Sequence, residues 1–133
     1  MFTKTFKQIN SKSVDIAGGK GASLGEMTQA GLAVPPGFVV LAPGFDKFLQ
    51  ETDLNVEVSA ALKKADPKDI KSIEDASVKI RDLIGDAEFP ADIAEEVKKS
   101  FKDLGVELVA VRSSATAEDS SIASWAGELE TYL

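Results

Sequence analysis

Two stretches between Asp66 and Gly105 carry the punctuation of complete helices, and they constrain the fold more than any other feature of the chain. Asp66 stands as an N-cap before Pro67 at the first helical position, and Gly85 stands where a C-terminal cap belongs. Between them Ile70, Ile73, Ser77, Ile80 and Ile84 recur at spacings of three and four, which predicts a helix over 67–84. The second stretch repeats the grammar. Pro90 opens it, Ile93, Val97, Phe101 and Leu104 keep the spacing, Glu95 can pair with Lys99, and Gly105 closes it. Weaker helical patterns cover Phe45 to Gln50, Leu54 to Lys64, and Ala22 to Gln29, where Leu24, Met27 and Thr28 share a face.

Strand signals are short and lie outside this helical middle. Phe38 to Leu41 follows the Val34-Pro35-Pro36-Gly37 turn, Glu107 to Val111 is apolar and β-branched, and Gly127 to Leu133 reads as a loop entering a strand. The fold class expected is therefore α+β, several helices packed on a small sheet. A strand that stops on Tyr132 and Leu133 needs a partner for its backbone groups, so the natural polypeptide is expected to continue.

Composition then removes whole classes of chemistry. The chain of 133 residues is 44% apolar and 28% charged, enough for one ordinary core, and its formal net charge of −7 argues against nucleic acid or an anionic membrane as partner. The basic part is the start, where Lys4, Lys7, Lys12 and Lys20 face a single acid, Asp15, before residue 26. No cysteine is present, which excludes thiolate chemistry and favours an intracellular setting. No histidine is present either, so neither a Ser-His-Asp arrangement nor a phosphorylated histidine lies within these residues. The uncharged run from 27 to 45 is broken by Pro35, Pro36 and Pro43 and is not a membrane span, and the amino terminus lacks the apolar run of a signal peptide.

Three segments could carry chemistry. Ala17-Gly18-Gly19-Lys20-Gly21-Ala22 places glycines directly before a helix, where free amides and a lysine could cradle a phosphate. It is not a Walker A loop, because Val14 stands where that pattern needs glycine and Gly21 where it needs serine or threonine. Nor is it a dinucleotide fingerprint, because Leu24 follows Gly19 and Gly21 in place of a third glycine. A flexible turn with one solvated lysine remains the alternative. The second segment, Leu108 to Ser114, delivers Arg112, Ser113 and Ser114 at a strand end. The arginine fork suits phosphate oxygens, although a structural ion pair with Glu118 or Asp119 would also account for it. In the third, Ser124-Trp125-Ala126-Gly127-Glu128-Leu129-Glu130-Thr131, small residues beside one aromatic could form a flap closing over phosphates, or a plain hairpin anchored by Trp125. With period-two geometry Glu128 and Glu130 share one face and Thr131 takes the other.

Taken in order, Gly18 to Met27, Val34 to Phe38, Val109 to Asp119, Ala126-Gly127 and Glu130-Thr131 resemble the start of the ATP-grasp-type nucleotide-binding domain shared by phosphoenolpyruvate synthase, pyruvate phosphate dikinase and rifampicin phosphotransferase. The resemblance implies that residues 1–133 are the N-terminal subdomain of that domain, with the phosphohistidine swivel domain and the pyruvate-binding domain elsewhere. It implies ATP as ligand, a cytoplasmic location, and magnesium ligands outside this chain; no metal ligand is assigned here, and Glu118 and Asp119 read as solvated carboxylates. Carried onto matching positions, Lys20 and Arg112 would contact ATP phosphates as the catalytic pair. Gly19 and Ser113 would belong to the same cofactor site, and Gly127 and Thr131 to a glycine-rich flap above it. The run Arg112 to Asp119 is closer to phosphoenolpyruvate synthase or rifampicin phosphotransferase than to the dikinase, whose loop is methionine-rich. Ser120-Ser121, Trp125 and Glu128-Leu129 depart from the family pattern. By itself the segment is expected to be catalytically inactive. The expected whole is a phosphoenolpyruvate synthase; the rivals are an antibiotic kinase like rifampicin phosphotransferase and a non-catalytic binding or regulatory module of the same fold.

Overall fold

A computed structural model describes residues 1–116 and 131–133. It is an α+β chain of five helices and two antiparallel strand pairs among the described residues. The chain divides into two units, Met1–Gly44 with Asp92–Leu133, and Phe45–Ala91.

The first unit opens with strand β1 (Thr3–Thr5), which pairs antiparallel with β2 (Phe38–Val40) in the register Thr3 to Val40 and Thr5 to Phe38. Thr3-Lys4-Thr5 has no apolar pattern of its own, and its sequence did not announce a strand. Its pairing comes from β2 and from helix α5 (Ala91–Leu104), whose Glu96 Oε1 accepts the N–H groups of Phe2 at 2.6 Å and Thr3 at 2.7 Å and the Thr3 hydroxyl at 3.0 Å. Burial alone would raise the Glu96 pKa. The bonds from Thr3 and Phe2 outweigh it and hold the carboxyl below the ordinary glutamate value.

Between β1 and β2 runs helix α1 (Val14–Gln29), preceded by two short 3-10 turns. The core of this unit gathers Ile9, Ala17 and Leu41, with Ile16 and Val39 packed against them. Ile9 is wholly buried, a burial that contributes about 1.5–3 kcal/mol. The helix turns its small residues inward: Ala17, Gly18, Gly19, Gly21, Ala22 and Gly25 are buried, while Met27 is exposed. The face expected from Leu24, Met27 and Thr28 is therefore not the packed one. Close approach explains this, since a side chain at Gly25 would sit 2.4 Å from the Ile9 carbonyl oxygen.

The second unit holds most of α2 (Ala42–Glu51), then α3 (Leu54–Lys64) and α4 (Ile70–Asp86). Phe48 is buried, stacks on Phe45 at 6.3 Å and meets Phe89 at 5.9 Å, while α3 buries Leu54 and Ala61. Lys47 and Glu51 pair along α2 at 3.3 Å.

Both boundaries of α4 differ from expectation, and the end of α5 does not. The N-cap of α4 is Asp69, which accepts the Lys71 N–H at 3.1 Å; Asp66 instead accepts from Lys68 at 2.9 Å and closes a turn before the helix. Gly85 lies inside α4 and is not among the glycines of positive φ, so it caps nothing. Gly105, at φ 66°, does end α5 in the left-handed conformation expected of it.

Candidate functional site

Helix α1 is two helices joined at a break. Gly18 adopts φ 72° and ψ 169°, far from helical values, and the helix resumes at Gly19. Such a break leaves orphan groups on both sides, carbonyls behind it and amides ahead of it. A segment nearly a hundred residues away satisfies them. The Ser114 hydroxyl donates to the Ala17 carbonyl at 2.8 Å and accepts the Gly21 N–H at 3.1 Å, while the Ala115 carbonyl accepts the Gly19 N–H at 3.1 Å. Ser114 is thus an N-cap delivered from outside the helix.

Only glycine admits this arrangement at position 18. A Cβ there would lie 2.3 Å from Ser114 Oγ and 2.7 Å from the Ser114 carbonyl carbon. The backbone angles also lie in a region that is essentially glycine-only.

The clasp brings two of the predicted segments together. Lys20 sits between Gly19 and Gly21, whose amides are both tied to the Ser114–Ala115 segment; Arg112 lies two residues before Ser114. Arg112 is in strand β3 (Val111–Arg112), and faces Thr131 directly across the antiparallel ladder with β4 (Thr131–Tyr132). Residues directly opposite on such a ladder project to the same face, so the guanidinium and the threonine hydroxyl share one side of the ribbon. Lys20 is half-buried, whereas Arg112, Ser113 and Thr131 are exposed. Two cations and a set of hydroxyls held this way match the donor chemistry of a polyphosphate site.

The structure revises two details. The strand expected over Glu107 to Val111 is only Val111–Arg112, so Arg112 lies within the strand and not beyond its end. The amides of Gly19 and Gly21, expected to face an anion, are engaged by Ala115 and Ser114; from these glycines the turn offers the Lys20 side chain a fixed base, not a cradle. Gly127, Glu118, Asp119, Trp125 and Glu128 lie outside the described residues. Gly18 and Ser114 stand within the two segments the sequence pointed to, but neither was assigned a place in the site, and nothing local in the sequence shows that they meet.

Two concavities among the described residues are less suited to this role. A cavity of about 460 Å³ in the second unit is rimmed by Glu51, Asp86 and Glu88, which oppose an anion. A groove of about 320 Å³ along α1 includes Gly19 but is bounded by Glu26, whose carboxyl is held below its ordinary pKa by the backbone N–H of Ser11, 2.8 Å away. No described helix is long and apolar enough to cross a membrane.

Residues 14–133 match the family described as the pyruvate phosphate dikinase AMP/ATP-binding domain. Similar proteins include a probable phosphoenolpyruvate synthase of Methanocaldococcus jannaschii, 46% identical over 99% of this chain and 12% of that protein. Another is a probable phosphoenolpyruvate synthase of Methanothermobacter thermautotrophicus, 45% identical over 96% of the chain and 20% of that protein. The phosphoenolpyruvate synthase of Pyrococcus furiosus is 35% identical over 99% of the chain and 21% of its own length. The chain thus spans about a fifth or less of these relatives.

Proposed function

Because the chain belongs to the family of pyruvate phosphate dikinase AMP/ATP-binding domains, we propose that it supplies the phosphate-contacting part of the ATP site of a phosphoenolpyruvate synthase. Lys20 and Arg112 contact the ATP phosphates, Ser113 and Thr131 add hydroxyl contacts, and Gly127 belongs to a flap over them. The observation that carries this reading is the three-bond clasp fixing the Lys20 turn against the Arg112 strand. In phosphoryl transfer the protein acts mainly by positioning and by neutralising charge, and two tethered cations provide both.

Three relatives named phosphoenolpyruvate synthase, each matched over nearly the whole chain, support that enzyme over an antibiotic kinase. In this reading residues 1–133 form the N-terminal subdomain of an ATP-grasp-like fold in a cytoplasmic enzyme. The adenine pocket and the phosphohistidine swivel domain lie in other parts of the polypeptide. Magnesium, when bound with ATP, neutralises phosphate charge. In this reading its protein ligands lie outside this chain.

Titration of the ¹⁵N-labelled chain with ATP tests this. Amide shifts should move at Lys20, Arg112 and Thr131 with an affinity weaker than micromolar, because the nucleotide meets only part of its site. Lys20→Ala and Arg112→Ala should each weaken binding by about tenfold or more, the value of a charge-assisted hydrogen bond. Unchanged binding in both variants, or submicromolar affinity in the wild-type chain, refutes the assignment. In a polypeptide carrying the remaining domains, the same substitutions should abolish ATP-dependent self-phosphorylation.

A further inference from the structure

We infer that Ser114 is a positioning residue for ATP, acting through Lys20 and Arg112 and not by touching the nucleotide. The inference rests on reading those two residues as phosphate contacts. Ser114 occupies both sides of the Gly18 break, donating to Ala17 and accepting from Gly21. Lys20 stands one residue before Gly21, and Arg112 two residues before Ser114. One hydroxyl therefore makes two of the three bonds that set where the two cations stand relative to each other.

Ser114 packs so tightly on Gly18 that not even a methyl group could enter between them. Removing the hydroxyl leaves the Gly21 amide and the Ala17 carbonyl without this partner and lets the turn shift. Arginine and lysine then lose their common geometry, and phosphate binding falls back to independent weak contacts.

The experiment compares ATP titrations of the ¹⁵N-labelled chain in five forms: wild type, Ser114→Ala, Ser114→Thr, Lys20→Ala, and Lys20→Ala combined with Ser114→Ala. Ser114→Ala should retain the wild-type circular dichroism and weaken ATP by about fivefold to tenfold, the effect of one or two lost neutral hydrogen bonds. Ser114→Thr, which keeps the oxygen, should recover most of that loss. The decisive readout is coupling. Lys20→Ala should weaken ATP strongly beside Ser114 but by no more than about twofold in the Ser114→Ala background. A purely structural role would leave the Lys20 effect the same in both. If Ser114→Ala binds like wild type, or if the Lys20 penalty is unaltered in its background, the positioning role is overturned while the phosphate site stands. If Lys20→Ala has no effect beside Ser114, the site reading itself fails and the positioning role with it. Should Ser114→Ala not fold, Ser114→Cys, with a larger and weaker hydrogen-bonding atom, carries the same comparison.

Discussion

Substituting Gly18 by alanine tests the clasp most directly. Two responses are open to the chain. It can keep the clasp, accepting a non-glycine residue at φ 72° and ψ 169°, about 1–3 kcal/mol, together with overpacking of about 1–3 kcal/mol. Alternatively it can release the clasp and lose three hydrogen bonds, each worth about 0.5–1.5 kcal/mol. Release is not avoided by a side-chain rotation, because two of the three nearest atoms to the new Cβ, at 2.7 and 2.8 Å, belong to the Ser114 backbone. Both routes converge on a loss of about 3 kcal/mol. With an ordinary urea dependence that lowers the denaturation midpoint by about 1–3 M, measured by circular dichroism. Gly31 supplies the control. Its φ is 80°, and nothing lies within 4 Å of the Cβ it would gain, so Gly31→Ala isolates the backbone penalty at about 1 kcal/mol. If Gly18→Ala costs no more than Gly31→Ala, the contact with Ser114 is not as described.

Further outcomes follow from the rest of the molecule. Ile9→Ala should destabilise by about 2–5 kcal/mol in a thermal melt, since Ile9 is completely buried in the core of its unit. Asp69→Ala should cost about 1 kcal/mol of helix stability and Asp66→Ala less, the reverse of what the sequence grammar suggests; urea titration of the two variants decides it. Glu96 has a folded-state pKa below its unfolded value, so its contribution is complete above the ordinary glutamate pKa of 4.5 and is lost as pH falls through the depressed value. Glu96→Gln should therefore lower stability at neutral pH and flatten its decline on acidification, checked by denaturation across pH 2–7. An equal acid dependence in the variant would exclude Glu96 as its source.

The helices were legible because spacing and caps are local properties. Leu54–Lys64 was read to the residue, and Ile93 is buried on α5 as its stripe required. What spacing did not show was which stripes find a packing partner: α4 buries no residue fully, and Ile70 is 74% exposed. Small residues hid the inward face of α1, because glycine carries no hydropathy signal and its role is to let Ser114, Val39 and Ile9 approach. Strand β1 was illegible for a related reason, since Thr3 and Thr5 are specified by what they pair with. For the site, the types Lys20, Arg112 and Thr131 could be named from sequence; that Ser114 ties the first two together depends on a contact no local pattern encodes.

The separation of those contacts along the chain sets an order in time. The bonds from Phe2 and Thr3 to Glu96, from Thr3 to Ser100, and between the Gly18 turn and Ser114 join residues 93 to 97 apart. Residues 45–91, in contrast, form a unit from one continuous stretch of sequence, which falls along the chain between the two stretches that make up the other. During synthesis this insert is complete on leaving the ribosome, while the first 44 residues still wait for partners that have yet to be made. Loop closure over such distances is slow, so the clasp should be among the last features to form and the insert among the first.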